Sequence, residues 1–525
     1  MYAAPMPGID QSLPASIAGL LSPAAYPHAT AAIELITTPI SWVFLTGEFA
    51  YKIKRPVHLP FADFRLLERR AFLCREEIRL NRRFAPDLYL GVAALADTPE
   101  GVRIDGPGEI IEYAVRMRQF RPEEALDRLL FSGIAPEALE HFGVTLAHIH
   151  DALPVATAAQ PYGNPAATRE VVITNLEECR RAASGLGSDS TLDELGCLLE
   201  ARLALNFPLM TVRKAAGRIR ECHGDLHVRN IVRSGSSLLP FDCLEFEPAF
   251  RWIDVADEIA FLFVDLLAEG FPEHAHAFLD GYLRASGDYQ ACRLVGLYAA
   301  HRALVRAKVT ALGIADASND ATRARLRGRH QRYLACARDA LVPAGRLLVL
   351  MTGLSGAGKT WLARQLAPQL RAVVIRSDVE RKRLGGLQEF GHSGSAIGEG
   401  LYTDAQDDRL YGRLRESAAH VLAGGYGVIV DATFLRRADR ARLGSLAAEA
   451  GLRALLIQCE APPTVLRARI MKRQRAGDDA SEAGTDVLTW QETRSESVTP
   501  DESFVVIRAD TTEPNIVSDI VRRFA

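Results

Sequence analysis

Gly353-Leu-Ser-Gly-Ala-Gly-Lys-Thr360 decides the fold of the C-terminal half, because it matches the phosphate-binding loop pattern G-x-x-x-x-G-K-[ST] at every fixed position. An apolar run at residues 347–351 precedes this loop, and a helix-forming stretch at residues 361–366 follows it. Strand, loop and helix in this order are the context that the motif requires. The segment therefore predicts a site for a nucleoside triphosphate at the start of an α/β domain.

Each residue type of this loop has a chemical reason. Glycines let consecutive backbone N–H groups turn toward phosphate oxygens, and the N-terminus of the next helix adds the positive end of its dipole. Lys359 is expected to reach the β- and γ-phosphates and to act in catalysis, and the Thr360 hydroxyl is expected to bind Mg²⁺. The residues predicted to bind the nucleotide are Gly353, Ser355, Gly356, Ala357, Gly358, Lys359 and Thr360.

The composition narrows the class of protein. A chain of 525 residues is too long for one core, so two to four domains are expected. The 62 basic and 65 acidic residues give a net charge of -3, which argues against a general binder of nucleic acid or membrane surfaces.

The sequence shows neither a long apolar run nor a secretory signal pattern, so no membrane span is expected. Its 8 cysteines form no C-x-x-C pair and predict reduced thiols of a cytoplasmic protein.

Hydrophobic patterning divides the chain near residue 342. The first part predicts a helix at residues 64–83 and strands at 33–36, 42–45, 49–54, 88–94 and 110–118. Residues from about 122 to 340 are mainly helical, with a strand-rich island at 231–246. We therefore predict one domain at 1–341, made of a small lobe at about 25–120 and a helical lobe at about 121–341, and an α/β domain at 342–525.

A second constellation typical of phosphate chemistry lies in the helical lobe. His223-Gly-Asp-Leu-His-Val-Arg-Asn230, followed by Asp242, resembles the catalytic loop H-x-D-x-x-x-x-N of protein kinases and its H-G-D-L-H variant in aminoglycoside and choline phosphotransferases. The resemblance implies that Asp225 accepts the proton of an attacking hydroxyl and that Asn230 and Asp242 hold Mg²⁺. Asp257 resembles the later aspartate that supports this loop, although an ordinary acid at a helix N-terminus is the alternative.

The same resemblance implies a strand lysine held by a glutamate on the following helix. Ala50-Tyr51-Lys52 fits the A-x-K pattern, and Lys54 lies on the same face of the strand. We assign Lys52 to the nucleotide and Glu77 as its partner, with Glu76 as the neighbour that could replace it. A solvated strand lysine is the alternative interpretation.

Further residues complete the predicted P-loop site. Asp378 follows the strand at 372–375, where P-loop kinases place the carboxylate that activates the acceptor hydroxyl; capping of the next helix is the alternative. Asp431 ends an apolar strand in the Walker B pattern, which predicts a position near Mg²⁺. Arg469 and Arg473 lie in an arginine-rich helix that resembles the lid of nucleotide-type kinases, which stabilises transition-state charge. A solvated basic helix face is the alternative for either arginine.

The order of the two halves resembles a bacterial family of fused proteins, in which an aminoglycoside-phosphotransferase-like half precedes a P-loop kinase half of the zeta-toxin and gluconate-kinase type. The likeness extends from about Leu21 onward and is carried by residues 41–48, 51–54, 80–83 and 430–434. It implies an α+β bilobal, protein-kinase-like domain followed by an α/β P-loop domain with a mainly parallel sheet. It also implies ATP and Mg²⁺ at each half, but a fold does not name the acceptor.

Three classes of function compete. The leading hypothesis is a cytoplasmic phosphotransferase with two Mg·ATP sites, each acting on a hydroxyl of a small molecule. The acids after Asp242, such as Asp254, Asp257, Glu258 and Asp265, are candidates to bind a cationic acceptor at the first site. A regulatory hypothesis makes the N-terminal half a nucleotide-sensing pseudokinase, because no G-x-G-x-x-G lies between residues 33 and 43. Processing of nucleic-acid ends by the P-loop half is disfavoured by the balanced charge.

Overall fold

The computed structural model describes residues 13–59, 62–342, 346–394, 399–476 and 479–524. These residues form two compact units. The first unit contains the chain up to Ala138 together with Ile149–Phe271 and Leu297–Leu341. The second unit contains Leu139–His148, Pro272–Gly296 and the chain from Val342 onward. Two segments that precede residue 342 in sequence are therefore part of the unit that carries the phosphate-binding loop.

The first unit is built on an antiparallel sheet. In chain order its strands are β1 Glu34–Thr37, β2 Ser41–Leu45, β3 Phe49–Lys54, β4 His58–Leu59, β5 Ala62–Asp63, β6 Tyr89–Thr98, β7 Gly101–Ile104, β8 Glu109–Arg118, β9 Ile219–Glu221, β10 Ile231–Ser234, β11 Ser237–Pro240 and β12 Trp252–Asp254. Six of them form one sheet in the order β1-β2-β3-β8-β6-β7, and all of its neighbouring strands are antiparallel. The pairs β4–β5, β10–β11 and β9–β12 are short antiparallel ribbons.

Helices make up most of the chain between the two sheets. In chain order they are α1 Ala15–Ala18, α2 Leu67–Asn81, α3 Leu126–Phe131, α4 Pro136–Ala152, α5 Pro165–Ala182, α6 Asp189–Ala215, α7 Val255–Ala268, α8 Pro272–Ser286, α9 Cys292–Ala315 and α10 Asp320–Leu341. Within the first unit α6 packs against α5 and α10, and α7 packs against α10. The expected α+β character of the N-terminal part is confirmed.

The alternation of β3 positions the lysines of the sheet. Tyr51 and Ile53 are buried in a core with the α1 segment, whereas Ala50 belongs to the core formed with α2. Side chains two residues apart on a strand share a face. Lys52 and Lys54 therefore point, like Ala50, toward α2, which packs on β6 and β8.

The second unit is an α/β domain. Its strands are β13 Leu347–Thr352, β14 Ala372–Arg376, β15 Gly427–Asp431, β16 Arg453–Glu460 and β17 Val505–Asp510. The sheet order is β14-β15-β13-β16-β17, and all four pairings are parallel. The remaining helices are α11 Lys359–Gln369, α12 Ser377–Leu384, α13 Asp404–Ala423, α14 Arg437–Ala450, α15 Pro463–Ala476, α16 Thr485–Arg494 and α17 Ile516–Phe524. The predicted parallel sheet is confirmed.

Burial explains the sequence of the central strands. Every residue of β13 and of β15 is buried, as expected for parallel strands covered by helices on both faces. Their polar residues come only at the carboxyl ends, where Thr352 and Asp431 stand. In open parallel sheets this edge is where ligands bind.

One helix among the described residues, α6, is long and apolar enough to cross a membrane by length and composition alone. Its buried residues recur at helical spacing, including Leu192, Leu195, Leu199 and Leu203. That face packs against α5 and α10. The core of the first unit thus accounts for the apolar residues on this face of α6.

Two glycines allow a close helix crossing within the second unit. A Cβ at Gly281 of α8 would overlap the carbonyl oxygen of Glu140, and one at Gly143 of α4 would overlap that of Phe278. The change Gly281→Ala should therefore force the helices apart and lower the free energy of unfolding by about 1–3 kcal/mol. Thermal or urea denaturation of the full chain measures this loss.

The matched control is Gly412→Ala in α13, where an added Cβ meets no atom within 4 Å. That change should be neutral or should stabilise by up to about 1 kcal/mol, because alanine has the higher helix propensity. Equal stability of the two variants would contradict the close-packing explanation.

Candidate functional sites

The loop from His223 to Asn230 is held in shape by buried acids of one helix. Glu258, in the first turn of α7, accepts the backbone N–H groups of His223 and Gly224 at 2.6 and 3.0 Å. Asp265, about two turns further on the same face of α7, accepts the N–H of Val228 at 3.1 Å. Gly224 has φ +86, and a Cβ there would lie 2.7 Å from the oxygen of Phe250. The loop conformation therefore requires both the glycine and the acids beneath it.

Asp225 presents one carboxylate oxygen to solvent. Its Oδ2 accepts a hydrogen bond of 2.9 Å from Asn230 Nδ2 and lies 3.4 Å from His227 Nε2. Its Oδ1 has no hydrogen-bond partner among the described residues, and the side chain is 33% exposed. Burial raises the pKa of the Asp225 carboxyl, but His227, Arg306 and His223 together lower its pKa below the usual range. The carboxylate is thus charged and available to orient a hydroxyl.

Lys52 joins the sheet to the loop region. Its Nζ donates a 2.8 Å hydrogen bond to Glu77 Oε1 and a second hydrogen bond to Asp242 Oδ1. The N–H of Asp242 donates to the Tyr89 hydroxyl at 2.9 Å, and Asp242 itself has φ +67. Burial alone lowers the pKa of Lys52, yet Asp242, Glu77 and Glu245 raise it well above the ordinary value. The predicted lysine, glutamate and metal carboxylate are therefore brought together.

A second buried lysine shares this cluster. Lys54 Nζ donates to Glu77 Oε2 at 2.6 Å and also to Glu245. Glu77 is fully buried between the two lysines, whereas Glu76 lies at the surface side of α2 and pairs with Arg79 at 2.8 Å. Glu245 was missed by the sequence analysis. The signal for it is that Glu245 stands two residues after Cys243 and four after Phe241, in phase with these apolar residues.

The acids after Asp242 that the sequence offers for a cationic acceptor each have an internal partner in the structure. Asp254 forms two hydrogen bonds with Arg213, the shorter at 2.7 Å, and Asp257 forms an equivalent pair with Arg302. Glu258 and Asp265 hold the loop backbone as described above. Arg302 also donates to the oxygen of Gly224 at 3.1 Å, so Asp257 supports the loop only through that arginine.

A short hairpin turn occupies the place of a glycine-rich loop. Thr38 Oγ1 donates to the oxygen of Ser41 at 3.0 Å and accepts its N–H at 2.9 Å, which closes the turn between β1 and β2. Arg55 donates to the oxygen of Thr38 at 2.7 Å. Any cover over bound phosphates at this position comes from a rigid turn of three residues rather than from glycines.

The phosphate-binding loop of the second unit has the expected form. Gly353, Gly356 and Gly358 have φ of +134, +82 and +84, which favour glycine. Lys359 Nζ donates to the carbonyl oxygens of Gly353 and Leu354 at 2.8 and 3.0 Å. The N–H of Ser355 donates to Gln491 Oε1 at 2.8 Å, a loop contact that the sequence analysis missed.

Thr360 and Asp431 meet at the carboxyl edge of the sheet. The Thr360 hydroxyl donates to Asp431 Oδ2 at 2.6 Å, and Arg376 Nε lies 3.8 Å from the same oxygen. Burial raises the pKa of the Asp431 carboxyl, and Arg376 and Lys359 oppose that rise only in part. A carboxylate whose charge is incompletely compensated is a suitable ligand for a divalent cation.

The loop opens into a cavity of about 920 Å³ lined by predicted residues that include Asp378, Asp431, Arg469 and Arg473. Arg469 donates to the Thr511 hydroxyl at 2.8 Å and to the oxygen of Gly356 at 3.3 Å, so it supports the loop directly. Arg473 donates to the oxygen of Ala483 at 2.9 Å.

Asp378 lies in the first turn of α12, but the residue at the helix cap is Arg376. The Asp378 carboxylate accepts no hydrogen bond from any residue that the structure describes. It lines the same cavity as Lys359 and Asp431. This position suits a carboxylate that acts on a bound hydroxyl better than one that caps the helix.

Both sites present oxygen ligands of the kind that Mg²⁺ prefers. In the first unit these are the Asn230 side-chain oxygen and the Asp242 carboxylate. The two residues lie in adjoining segments, because the N–H of Phe241 donates to the backbone oxygen of Asn230 at 2.9 Å. In the second unit they are the Thr360 hydroxyl and the Asp431 carboxylate. The donor chemistry therefore fits a magnesium ion at each site.

Two protein families match different parts of the chain. The phosphotransferase enzyme family matches residues 64–295, and the AAA domain family matches residues 348–497. An uncharacterized protein of Mycobacterium tuberculosis is 31% identical over 454 residues, which are 86% of this chain and 88% of the relative.

Among solved structures, a choline/ethanolamine kinase family protein from Mesorhizobium loti is 15% identical, with coverage of 59% of this chain and 93% of that chain and a TM-score of 0.32. A gluconokinase from Sinorhizobium meliloti is 20% identical, with coverage of 34% and 89% and a TM-score of 0.24.

The change Glu258→Gln tests the support of the loop from His223 to Asn230. An amide has one acceptor oxygen, so one of the two loop N–H groups would face an NH₂ group and lose its buried partner. We expect a loss of about 1–3 kcal/mol in the free energy of unfolding. A displaced Asp225 should also lower first-site turnover, by about 10²-fold for a shift near 1 Å. Thermal denaturation and release of ADP measure the two effects.

Glu273→Gln is the matched control, because Glu273 also lies in the first turn of a helix but is exposed. It should leave both stability and turnover unchanged. Wild-type stability in the Glu258 variant would show that the loop does not depend on this carboxylate.

Proposed function

This chain belongs to the family of two-domain, kinase-like proteins that includes the mycobacterial relative, and we propose that it is an ATP-dependent phosphotransferase with two nucleotide sites. Each site transfers the γ-phosphate to a hydroxyl of a small-molecule acceptor. The observation that carries the proposal is the contact of Lys52 with both Glu77 and Asp242. The hydrogen bond between Thr360 and Asp431 supports the second site in the same way.

In the first site, Asp225 Oδ1 accepts a hydrogen bond from the acceptor hydroxyl and orients its oxygen toward the γ-phosphorus. The new P–O bond forms as the bond to the β-phosphate oxygen breaks, ADP leaves, and the hydroxyl proton passes to Asp225. Lys52 binds the phosphates while Glu77 holds its ammonium group. Asn230 and Asp242 would hold Mg²⁺, which supplies neutralisation of phosphate charge when bound.

In the second site, Lys359 exchanges its two carbonyl partners for β- and γ-phosphate oxygens. Asp378 orients the acceptor hydroxyl and takes its proton as the same pair of P–O bonds forms and breaks. Arg473 contributes charge opposite the transferring group, and Arg469 fixes the loop backbone from which the N–H donors project. Thr360 and Asp431 would hold the magnesium ion of this site.

A regulatory role of the first unit is the second candidate function. The hairpin turn at Thr38 lacks the glycines that cover phosphates in active kinases. Such a unit keeps its magnesium ligands and its phosphate-binding lysine but lacks a glycine-rich loop over the phosphates. It would bind nucleotide and sense it without rapid turnover. The P-loop unit would then be the only enzyme in the chain.

A cytoplasmic location belongs to the proposal. All eight cysteines are free thiols. Unpaired thiols are the usual state in a reducing compartment.

Paired variants of the full chain separate the two candidate functions. Asp225→Asn keeps the shape of the side chain but cannot take a proton, and Lys359→Met removes the phosphate-binding charge. Each should remove one ATP-dependent activity, by about 10²-fold or more, when ADP release and product mass are followed with a pool of small metabolites. Asp193→Asn and Lys472→Met, both exposed, are the matched controls.

Distinct losses in the two variants support two enzymes in one chain. If Asp225→Asn leaves every activity intact while the first site still binds nucleotide, the sensing role is correct instead.

The change Asp378→Asn tests the acceptor carboxylate of the second site. We expect kcat to fall by about 10²–10⁴-fold, because the amide cannot receive the proton, with nucleotide affinity unchanged. Asp408→Asn, exposed on α13, is the control. A loss of stability without a loss of kcat would identify Asp378 as a structural acid of α12 only.

A further inference from the structure

We propose that the acceptor of the first site is an anion, a hydroxyl compound whose phosphate or carboxylate group is bound by Arg229, Arg306 and Arg329. The inference rests on the proposed function of the first site and names its substrate class. It replaces the cationic acceptor that the acids of α7 suggested from sequence.

The three arginines come from three elements of the first unit. Arg229 lies in the catalytic loop between Asp225 and Asn230, Arg306 lies on α9, and Arg329 lies on α10. Asp265 links the helix arginines to the loop, because one of its oxygens lies 3.3 Å from Arg306 Nε and the other accepts the N–H of Val228 at 3.1 Å.

Tyr333 holds two of the guanidinium groups side by side. The guanidinium carbons of Arg306 and Arg329 lie 5.8 and 5.6 Å from the centre of its ring. Its hydroxyl donates to Asp265 Oδ1 at 2.5 Å and accepts from Arg329 Nη2 at 3.2 Å. Packing on one ring gives the two cations fixed orientations, as a built anion site requires.

Several donors of the cluster remain available. Among the described residues, Arg306 donates only through Nε, to the Tyr333 hydroxyl at 3.4 Å, and its two terminal nitrogens form no hydrogen bond. The Nε of Arg329 is buried without a partner in the part of the chain that the structure describes. A guanidinium has five N–H groups in a planar fork that matches carboxylate and phosphate oxygens.

Each acid near the cluster either has a partner already or lies beyond hydrogen-bond distance of the arginine. Asp265 is fully buried and lies 3.3 Å from Arg306, while its other oxygen holds the backbone of Val228. Glu269 pairs with Arg329, and Asp127 approaches Arg229 only to 3.9 Å.

Arg229 opens the cluster to solvent at the loop, because its side chain is 31% exposed. An anion placed beside the three guanidinium groups would be attracted by them, whereas a cation would be repelled.

The chemistry of transfer is unchanged by this assignment. The acceptor's anionic group stays bound to the arginines, and a separate hydroxyl of the same molecule donates to Asp225 Oδ1 and attacks the γ-phosphorus. The arginines thereby position the acceptor and offset the repulsion between two anionic substrates.

The test uses the full chain with Lys359→Met, so that the P-loop does not bind the probe, and with the first nucleotide site saturated by Mg²⁺ and a non-hydrolysable ATP analogue. Inorganic phosphate and citrate are then titrated by calorimetry. Binding of at least one of the two anions is expected, and Arg229→Gln or Arg329→Gln should each weaken it at least tenfold. Arg229→Lys, which keeps the charge but loses the fork, should weaken it less.

Arg323→Gln is the matched control, because Arg323 lies on α10 with Arg329 but pairs at the surface with Asp320. It should leave anion binding unchanged, and unchanged affinity for the nucleotide analogue in every variant reports an intact fold.

Anion binding that does not change in the Arg229 and Arg329 variants, or binding of spermidine in place of both anions, would overturn the inference. Failure of the proposed function gives a different result, because Asp225→Asn would then leave turnover intact whether or not phosphate binds.

Discussion

A charge removed from water has to be paired, and this constraint organises the first unit. Lys52 and Lys54 are almost completely buried, and Glu77 stands between them with no exposed surface. Asp242 and Glu245 complete the neutralisation from a segment far along the chain. Loss of one partner would leave a buried charge without compensation, which destabilises far more than a surface pair contributes. The groups that would bind nucleotide therefore also hold the sheet, α2 and the segment after β11 in register.

The same constraint explains why the acids of α7 are paired inside the first unit. Glu258 and Asp265 satisfy backbone N–H groups of the loop from His223 to Asn230, and Asp257 neutralises Arg302. A buried donor without a partner costs more than a typical hydrogen bond contributes, so these acids are not available to a ligand. The proposed anion site therefore uses other side chains near the loop, namely Arg229, Arg306 and Arg329.

In the second unit, the sequence motif and the residues of the site coincide more closely than in the first unit. The loop from Gly353 to Thr360 needs three glycines with positive φ, and the helix that follows begins at Lys359. Asp431 comes from another strand, and the parallel pairing of β13 with β15 places Met351 opposite it. The support from Gln491 and Thr511 comes from outside the motif and adds rigidity to the loop.

The sequence by itself determined what depends on short spacing: the strand–loop–helix at Gly353, the loop from His223 to Asn230, and the shared face of Lys52 and Lys54. Such features follow from backbone geometry and strand alternation within a few residues. Only the tertiary structure decided which distant acids serve which purpose, including the pairing of Lys54 with Glu245, 191 residues away. Short strands such as β7 and β9 also escaped prediction, because their pairing depends on partners and not on local pattern. The local sequence does not indicate which buried charges will pair, since that pairing depends on how the whole chain excludes water around them.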